Sequence, residues 1–334
     1  MRGGGAAANS GFDNSCRLDI ICIRMNFPAP ALEGSFEVPA LEGLFSGRQS
    51  VIRYAKPTTV DEALALLGEG AWRILAGGTD FYPAQGSKPF RDNVLDINGL
   101  TALRGIAETD SHWVIGARTT WTDLLRHPLP PAFDALKQAA REVGSAQIQN
   151  VASVVGNLCN ASPAADGVPA LLILDAEVEL RSAAATRLLP LPDFILGNRR
   201  TALRPGEMVT AIRMPKPAGT SAFVKLGARR YLVISIAMVA ARLVVEGGIV
   251  TDAAIAVGSC SAVAKRLAGV EAALRGLAAD CGLADAVQSA PMAELSPIAD
   301  VRGSAEYRLD AAGEIVARAL LTAAGPMNDH MVAA

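Results

Sequence analysis

Pro215 and Pro217 divide the sequence into two parts with different patterning. Proline has no backbone N–H and fixes φ, so neither a helix nor a central strand runs through such a pair. Beyond it, Ala237–Val245 and Ile249–Val257 flank Glu246-Gly247-Gly248, a strong hairpin signal. Helical patterns then occupy roughly 262–277 and 304–323. The second part therefore reads as a short antiparallel sheet backed by helices. A chain of 334 residues has room for roughly two domains, and the break sets the expected division: a first domain over 50–218 and a smaller one over 219–324.

The first part mixes helices with strands. Thr59 is followed three residues later by Glu62, a capping pattern, and Val60, Ala63, Leu64 and Leu67 share one apolar face. Gly68 and Gly70 are expected to end that helix. Trp72–Ala76 and Val94–Ile97 read as short strands. Thr120 and Asp123 open a second helix, and a third runs from about Pro131 to Val143. The stretch from Gln149 to Asp166, rich in Asn, Gly and Ser, reads as a long loop of the kind that carries function. Glu177–Arg181 and Met208–Arg213 are further strand candidates.

Residues 1–49 are expected to be a flexible extension and 325–334 a frayed tail. The extension holds Gly3-Gly4-Gly5 and a repeated Ala-Leu-Glu-Gly, and its one apolar run, Leu18–Ile23, is interrupted by Asp19 and too short to span a bilayer. Met25 is a candidate alternative start.

Composition narrows the function classes. Hydrophobic residues make up 51% and charged ones 19%, which suits a well-buried globular chain, and a net charge of −2 lacks the basic footprint of a nucleic-acid binder. The five cysteines are scattered with no C-x-x-C pair, and none of the three histidines lies near them. That spacing supports neither a zinc site nor a plant-type iron–sulfur cluster, and an odd, dispersed set favours a reducing, cytoplasmic compartment.

Two segments carry chemistry. The first is Ile74-Leu75-Ala76-Gly77-Gly78-Thr79-Asp80-Phe81, in which glycines directly after a strand let backbone N–H groups approach an anion closely. By itself a Gly-Gly after a strand is most often only a turn. It is neither a Walker A loop nor a dinucleotide fingerprint, lacking the Gly-Lys-Ser/Thr of the one and the third glycine of the other. The second spans Ala152 to Asp166, where Ser153, Gly156 and Asn157 supply a hydroxyl, a permissive backbone and an amide. Ser162-Pro163 reads as an N-cap and first turn, placing Asp166 within the opening of a helix, where a carboxylate complements the helix dipole.

The order Ala-Gly-Gly-Thr-Asp (76–80), Ser153–Asp166, Leu188–Pro215, Phe223–Arg230 and Arg302–Leu309 resembles the FAD subunit of molybdenum hydroxylases, which include the medium subunit of aerobic carbon monoxide dehydrogenases and the flavin segment of xanthine dehydrogenases. The likeness runs from about Ile52 to Ala323. It implies an α+β chain: a two-part, mixed α/β FAD-binding domain of the PCMH type, then a C-terminal domain of the carbon monoxide dehydrogenase flavoprotein type. It implies FAD as cofactor, with Ile74–Phe81 wrapping the diphosphate and Ser153, Val154, Val155, Gly156 and Asn157 holding its other side. Asp166 matches an acidic residue that bonds FAD hydroxyls, Lys225 a basic residue near the flavin ring, and Cys159 an apolar side chain close to that ring. A small core hydrophobe is an equally good reading of Cys159.

The implied function is electron transfer from 2Fe-2S clusters on a small subunit to FAD here and on to an external acceptor. Substrate oxidation then belongs to a molybdenum–pterin large subunit, the three chains forming a heterotrimer or its dimer. A self-contained flavin oxidoreductase of the same fold is the alternative, as is a flavin-free scaffold. His112 and His127, outside both segments, offer no covalent flavin anchor. Two departures stand out. Val155 occupies a position where the family has Gly, which predicts strain if φ is positive there. Gln149 stands where an arginine is common.

Overall fold

The computed structural model describes residues 52–325; the expected extension over 1–49 and the tail beyond Gly325 lie outside the described residues. The chain opens with β1 (Tyr54–Ala55), α1 (Val60–Glu69), β2 (Trp72–Leu75), α2 (Phe81–Gln85) and β3 (Asn93–Asp96). The three strands form a parallel sheet in the order β1-β3-β2. The start of α1 follows its local code: Thr59 Oγ1 accepts from the Glu62 N–H at 3.3 Å, and the Glu62 carboxylate reaches back to the Thr58 N–H. Ala63, Leu64 and Leu67 are buried, as the periodicity requires. Gly68 does not end the helix; it lies inside it, and Gly70 is the cap. The turn after β2 sits at the carboxyl end of parallel strands, where open sheets present ligand sites.

The next lobe is a five-stranded antiparallel sheet in the order β4-β5-β10-β6-β7. Its first two strands are β4 (Ile106–Glu108) and β5 (His112–Gly116). Between β5 and β6 the chain builds α3 (Trp121–Arg126), α4 (Asp134–Glu142), α5 (Ala146–Gln149), α6 (Val154–Asn160) and α7 (Gly167–Leu172). Then follow β6 (Glu177–Arg181), β7 (Thr186–Pro190), α8 (Leu191–Phe194), the small pair β8 (Ile195–Gly197) and β9 (Arg200–Thr201), and β10 (Met208–Pro215). Thr120 and Asp123 form a complete capping box on α3.

The stretch from Gln149 to Asp166 is not one loop. Ser153 is the N-cap of α6, its Oγ accepting from the Gly156 N–H at 3.1 Å. Ser162 closes a turn on the Ala164 N–H instead of capping a helix, and α7 begins only after Asp166.

The last part contains β11 (Thr220–Leu226), β12 (Ala237–Glu246), β13 (Ile249–Gly258) and β14 (Lys265–Arg266), antiparallel in chain order, with α9 (Ala268–Leu274), α10 (Gly282–Ser289) and α11 (Ala305–Ala324). The hairpin turns where expected, Gly247 and Gly248 both having positive φ. The helix expected over 262–277 is shorter, because Lys265 and Arg266 pair with Val257 and Ala256 as an edge strand. The sheet is covered on both faces. Phe223, Met238, Ala240, Ala254 and Ala256 join the core of the preceding lobes. The alternate residues Ala222, Val239, Ala241, Ile255 and Val257 join a second core under α9–α11. Burial on both faces explains why these strands read as nearly continuous apolar runs. Among the described residues no helix is long and apolar enough to cross a membrane.

Candidate functional site

A cavity of about 1080 Å³ opens between the parallel lobe and the antiparallel lobe. One wall is the turn after β2. Gly77 is there because nothing larger fits: a Cβ would lie 2.0 Å from the Val151 carbonyl oxygen. Gly78 has φ +76°, and a Cβ on it would meet the Tyr82 ring at 2.8 Å. Among the described residues, the backbone N–H groups of Gly77, Gly78 and Thr79 donate to no protein acceptor. Three consecutive free amides at the mouth of a cavity form a nest for an anion.

The facing wall is the start of α6. Ser153, Val155, Gly156, Asn157 and Cys159 line the cavity, and a Cβ on Gly156 would press to 2.8 Å on the capping Ser153 Oγ. Among the described residues Asn157 Oδ1 is buried without a partner, as is the Nε1 of Trp121, whose ring lies with that oxygen against Gly167 of α7. Unpaired buried polar atoms are costly and rare, so a polar ligand is what this wall lacks. Cys159 is exposed along the same wall, where a small side chain adds lining surface.

Of the expected site residues, Ile74, Ala76, Gly77, Gly78, Thr79, Asp80 and Phe81 also line the cavity. Leu75 and Val154 do not; both side chains are buried, Val154 in the core. Val155 is helical rather than left-handed and is 4% exposed, so the anticipated strain is absent: φ is positive at Ala161 but not at Val155. Gln149 spends its amide on the Arg141 carbonyl.

Asp166 and Lys225 are brought together from 59 residues apart. Lys225 Nζ lies 2.7 Å from Asp166 Oδ2, and Ser235 donates to Oδ1 at 2.6 Å. Burial raises the Asp166 pKa, opposed by the Lys225 charge and by its two hydrogen bonds. Neither side chain lines the large cavity. A carboxylate has about four acceptor positions, so Asp166 retains capacity for a ligand hydroxyl beyond these two contacts.

Several lining residues were not foreseen. Leu203 to Val209, leading into β10, line the cavity beside the end of α1, and Trp72 and Trp121 add ring surface. Nothing local marks them, since their places are set by pairing across distant segments. A large, mostly apolar cavity with a few convergent polar groups suits a ligand with flat rings joined by an anionic linker.

Comparison with known proteins gives one direction. Residues 49–217 match the family model described as "FAD binding domain in molybdopterin dehydrogenase", and residues 222–323 match "CO dehydrogenase flavoprotein C-terminal domain". The chain is 32% identical over 275 residues to the carbon monoxide dehydrogenase medium chain of Hydrogenophaga pseudoflava, covering 80% of this chain and 95% of that one. It is 29% identical to the xanthine dehydrogenase FAD-binding subunit of Escherichia coli O157:H7, covering 77% and 90%. Among solved structures, reconstituted CO dehydrogenase from Oligotropha carboxidovorans superposes with a TM-score of 0.76 at 30% identity, covering 82% of this chain and 97% of the matched one.

Proposed function

We propose, because this chain belongs to the family of FAD-binding subunits of the molybdopterin dehydrogenases, that it holds FAD in the cavity between its first two lobes and serves as the electron-transfer subunit of a molybdenum hydroxylase. The observation that carries this is the trio of unpaired N–H groups at Gly77, Gly78 and Thr79 across from the α6 wall with its unpartnered Asn157 Oδ1, an acceptor for a ligand hydroxyl. When bound, FAD supplies the redox chemistry, accepting electrons from iron–sulfur clusters of a partner and releasing them to an external acceptor.

The chain's own residues bind and orient. With FAD bound, the free amides would take the diphosphate, the Ser153 hydroxyl would donate to its other side, the Asn157 Oδ1 would accept from a cofactor hydroxyl, and Ile74, Trp72 and Val209 would line the ring surface and exclude water. Asp166, steadied by Lys225 and Ser235 outside this cavity, would offer its remaining lone pairs to a cofactor hydroxyl only where the cofactor reaches beyond the cavity. The division into an FAD-binding domain over 50–218 and a C-terminal domain over 219–324 fits this reading. So does assembly with a molybdopterin-binding large subunit and a 2Fe-2S small subunit, as a heterotrimer or its dimer, in the cytoplasm.

The test is direct. The purified chain should be yellow, and acid precipitation should release all flavin into the supernatant as FAD. Gly78→Val should abolish that binding, since a β-branched residue at positive φ also collides with Tyr82. Mixed with its partners, the chain should show substrate-driven bleaching of the flavin, and alone it should hydroxylate nothing. A colourless chain that stays folded points to the scaffold reading; hydroxylation by the single chain points to a self-contained enzyme.

A further inference from the structure

Behind the glycine turn lies a second, smaller recess of about 320 Å³, bordered by the backbone of Gly77 and by the polar side chains of Asn98, Arg104, Arg118, Thr120, Asn150 and Ser153. Gly77 and Ser153 also line the large cavity, so the two spaces meet at the turn. The recess differs in character from its neighbour, being lined mainly by polar groups.

Its two guanidinium groups are not equivalent. Arg104 is satisfied by Asp123, through Nε at 2.9 Å and Nη2 at 3.0 Å. Arg118 is not. Its Nη1 donates to the Leu100 carbonyl at 3.1 Å, its Nε is buried with no partner, and among the described residues no carboxylate lies within ion-pair distance of it. Burial and the neighbouring Arg104 charge both push its pKa down, while Asp96 and Asp123 oppose this from further off. Those two carboxylates are committed elsewhere, Asp96 to the Tyr54 hydroxyl and the Asn98 N–H, and Asp123 to Arg104 and the Thr120 N–H. A half-buried guanidinium with no counter-charge among the described residues, lining a polar recess, is a site for an oxyanion.

Other donors converge on the same space. Asn150 accepts from Thr122 through Oδ1, which leaves its amide N–H₂ free to donate. The Thr120 Oγ1 accepts from the Asp123 N–H and keeps its own proton available. The planar fork of Arg118 matches the spacing of two phosphoryl oxygens, which a single ammonium does not.

We propose that this recess is a phosphoryl-anion subsite in which Arg118 is the charge-bearing ligand, assisted by the Asn150 amide and the Thr120 hydroxyl. Two sources share that chemistry: the diphosphate of the dinucleotide in the adjoining cavity, reached past Gly77, and a phosphate carried by a second molecule. The first source rests on the FAD reading above; the subsite itself does not.

The experiment uses the full chain, flavin-loaded and flavin-stripped, with inorganic pyrophosphate as probe and titration calorimetry as readout. The stripped wild type should bind pyrophosphate, and Arg118→Met should weaken that binding roughly tenfold or more, as loss of a charge-assisted contact requires. Arg118→Gln, which keeps donors and loses charge, is the second variant if Arg118→Met fails to fold. If the flavin diphosphate fills the recess, FAD loading abolishes pyrophosphate binding and both variants bind FAD more weakly. If a second molecule's phosphate fills it, pyrophosphate binding survives loading and FAD affinity is unchanged. Equal pyrophosphate and equal FAD affinities in wild type and folded variants overturn the proposal, the recess then holding only water. Failure of the wild type to bind FAD while Arg118-dependent pyrophosphate binding persists overturns the flavin reading and leaves the subsite standing.

Discussion

Val155 shows how a single position changes meaning once its backbone is known. In the family pattern it replaces a glycine, yet here it sits in the first turn of α6 with its side chain largely buried. Val155→Gly should therefore lose apolar burial and helix propensity together, about 2–4 kcal/mol. Chemical denaturation should show that loss, and FAD should bind no more tightly; a gain in stability or affinity would restore the strain argument. Asp166, whose carboxylate reads from sequence as a complement to a helix dipole, is buried against Lys225. Asp166→Ala leaves that lysine as an unpaired buried cation, which typically costs 3–5 kcal/mol, roughly. The double variant with Lys225→Met should recover part of the loss. If Asp166→Ala alone is nearly neutral, the pair does not hold the two halves of the chain in register.

Among elements, the turn before α11 carries the clearest acid response. Asp300 accepts from the Arg302 N–H at 2.8 Å and from Arg308 Nη2 at 2.7 Å, while Arg308 also donates to the carbonyls of Ile236 and Ser259. These contacts, the Arg302 N–H foremost, hold the Asp300 carboxyl down at about 2 against an ordinary 3.8. A depressed carboxyl pKa stabilises the fold fully above the unfolded value and loses its effect as pH falls through the folded one. The melting temperature of wild type should thus exceed that of Asp300→Asn at neutral pH, and the gap should close between pH 3.8 and about 2. A gap that is constant across this range would assign the effect to packing instead of charge. The α6 element is a lesson of another kind. The Thr120–Asp123 box of α3 was readable, because caps are local codes, whereas the sequence pointed to Ser162 and not to Ser153 as the cap in this region. The helices on either side of Ser153 were hidden by an Asn- and Gly-rich composition that tertiary packing overrides.

At the scale of the whole molecule, the proline break does not separate two independent cores. The β11–β13 sheet buries Phe223, Met238, Ala240, Ala254 and Ala256 against the lobes before the break. Polar ties cross the same seam: Ser221 bonds to the backbone of Ala132 and Ala135, Phe223 N–H to Gln138, and Arg242 to the Ile173 carbonyl. A fragment spanning 219–325 would expose an apolar sheet face. It should be insoluble or molten when expressed alone, and the full chain should unfold in one transition by calorimetry. A fragment that is soluble with a sharp melting transition would show the two parts to be autonomous.

The sequence by itself determined what depends on near neighbours: the caps at Thr59 and Thr120, the Gly247-Gly248 turn, and the glycines after β2 that make close backbone approach possible. Tertiary structure alone decided what depends on contacts between distant segments. It seated Gly77 against Val151, joined Asp166 to Lys225 and Ser235, set Leu203–Val209 beside the end of α1, and left Arg118 without a counter-charge among the described residues. The physical reason is range: capping and turn energies act over three or four residues, whereas burial, desolvation and charge pairing are settled only when remote segments exclude water between them.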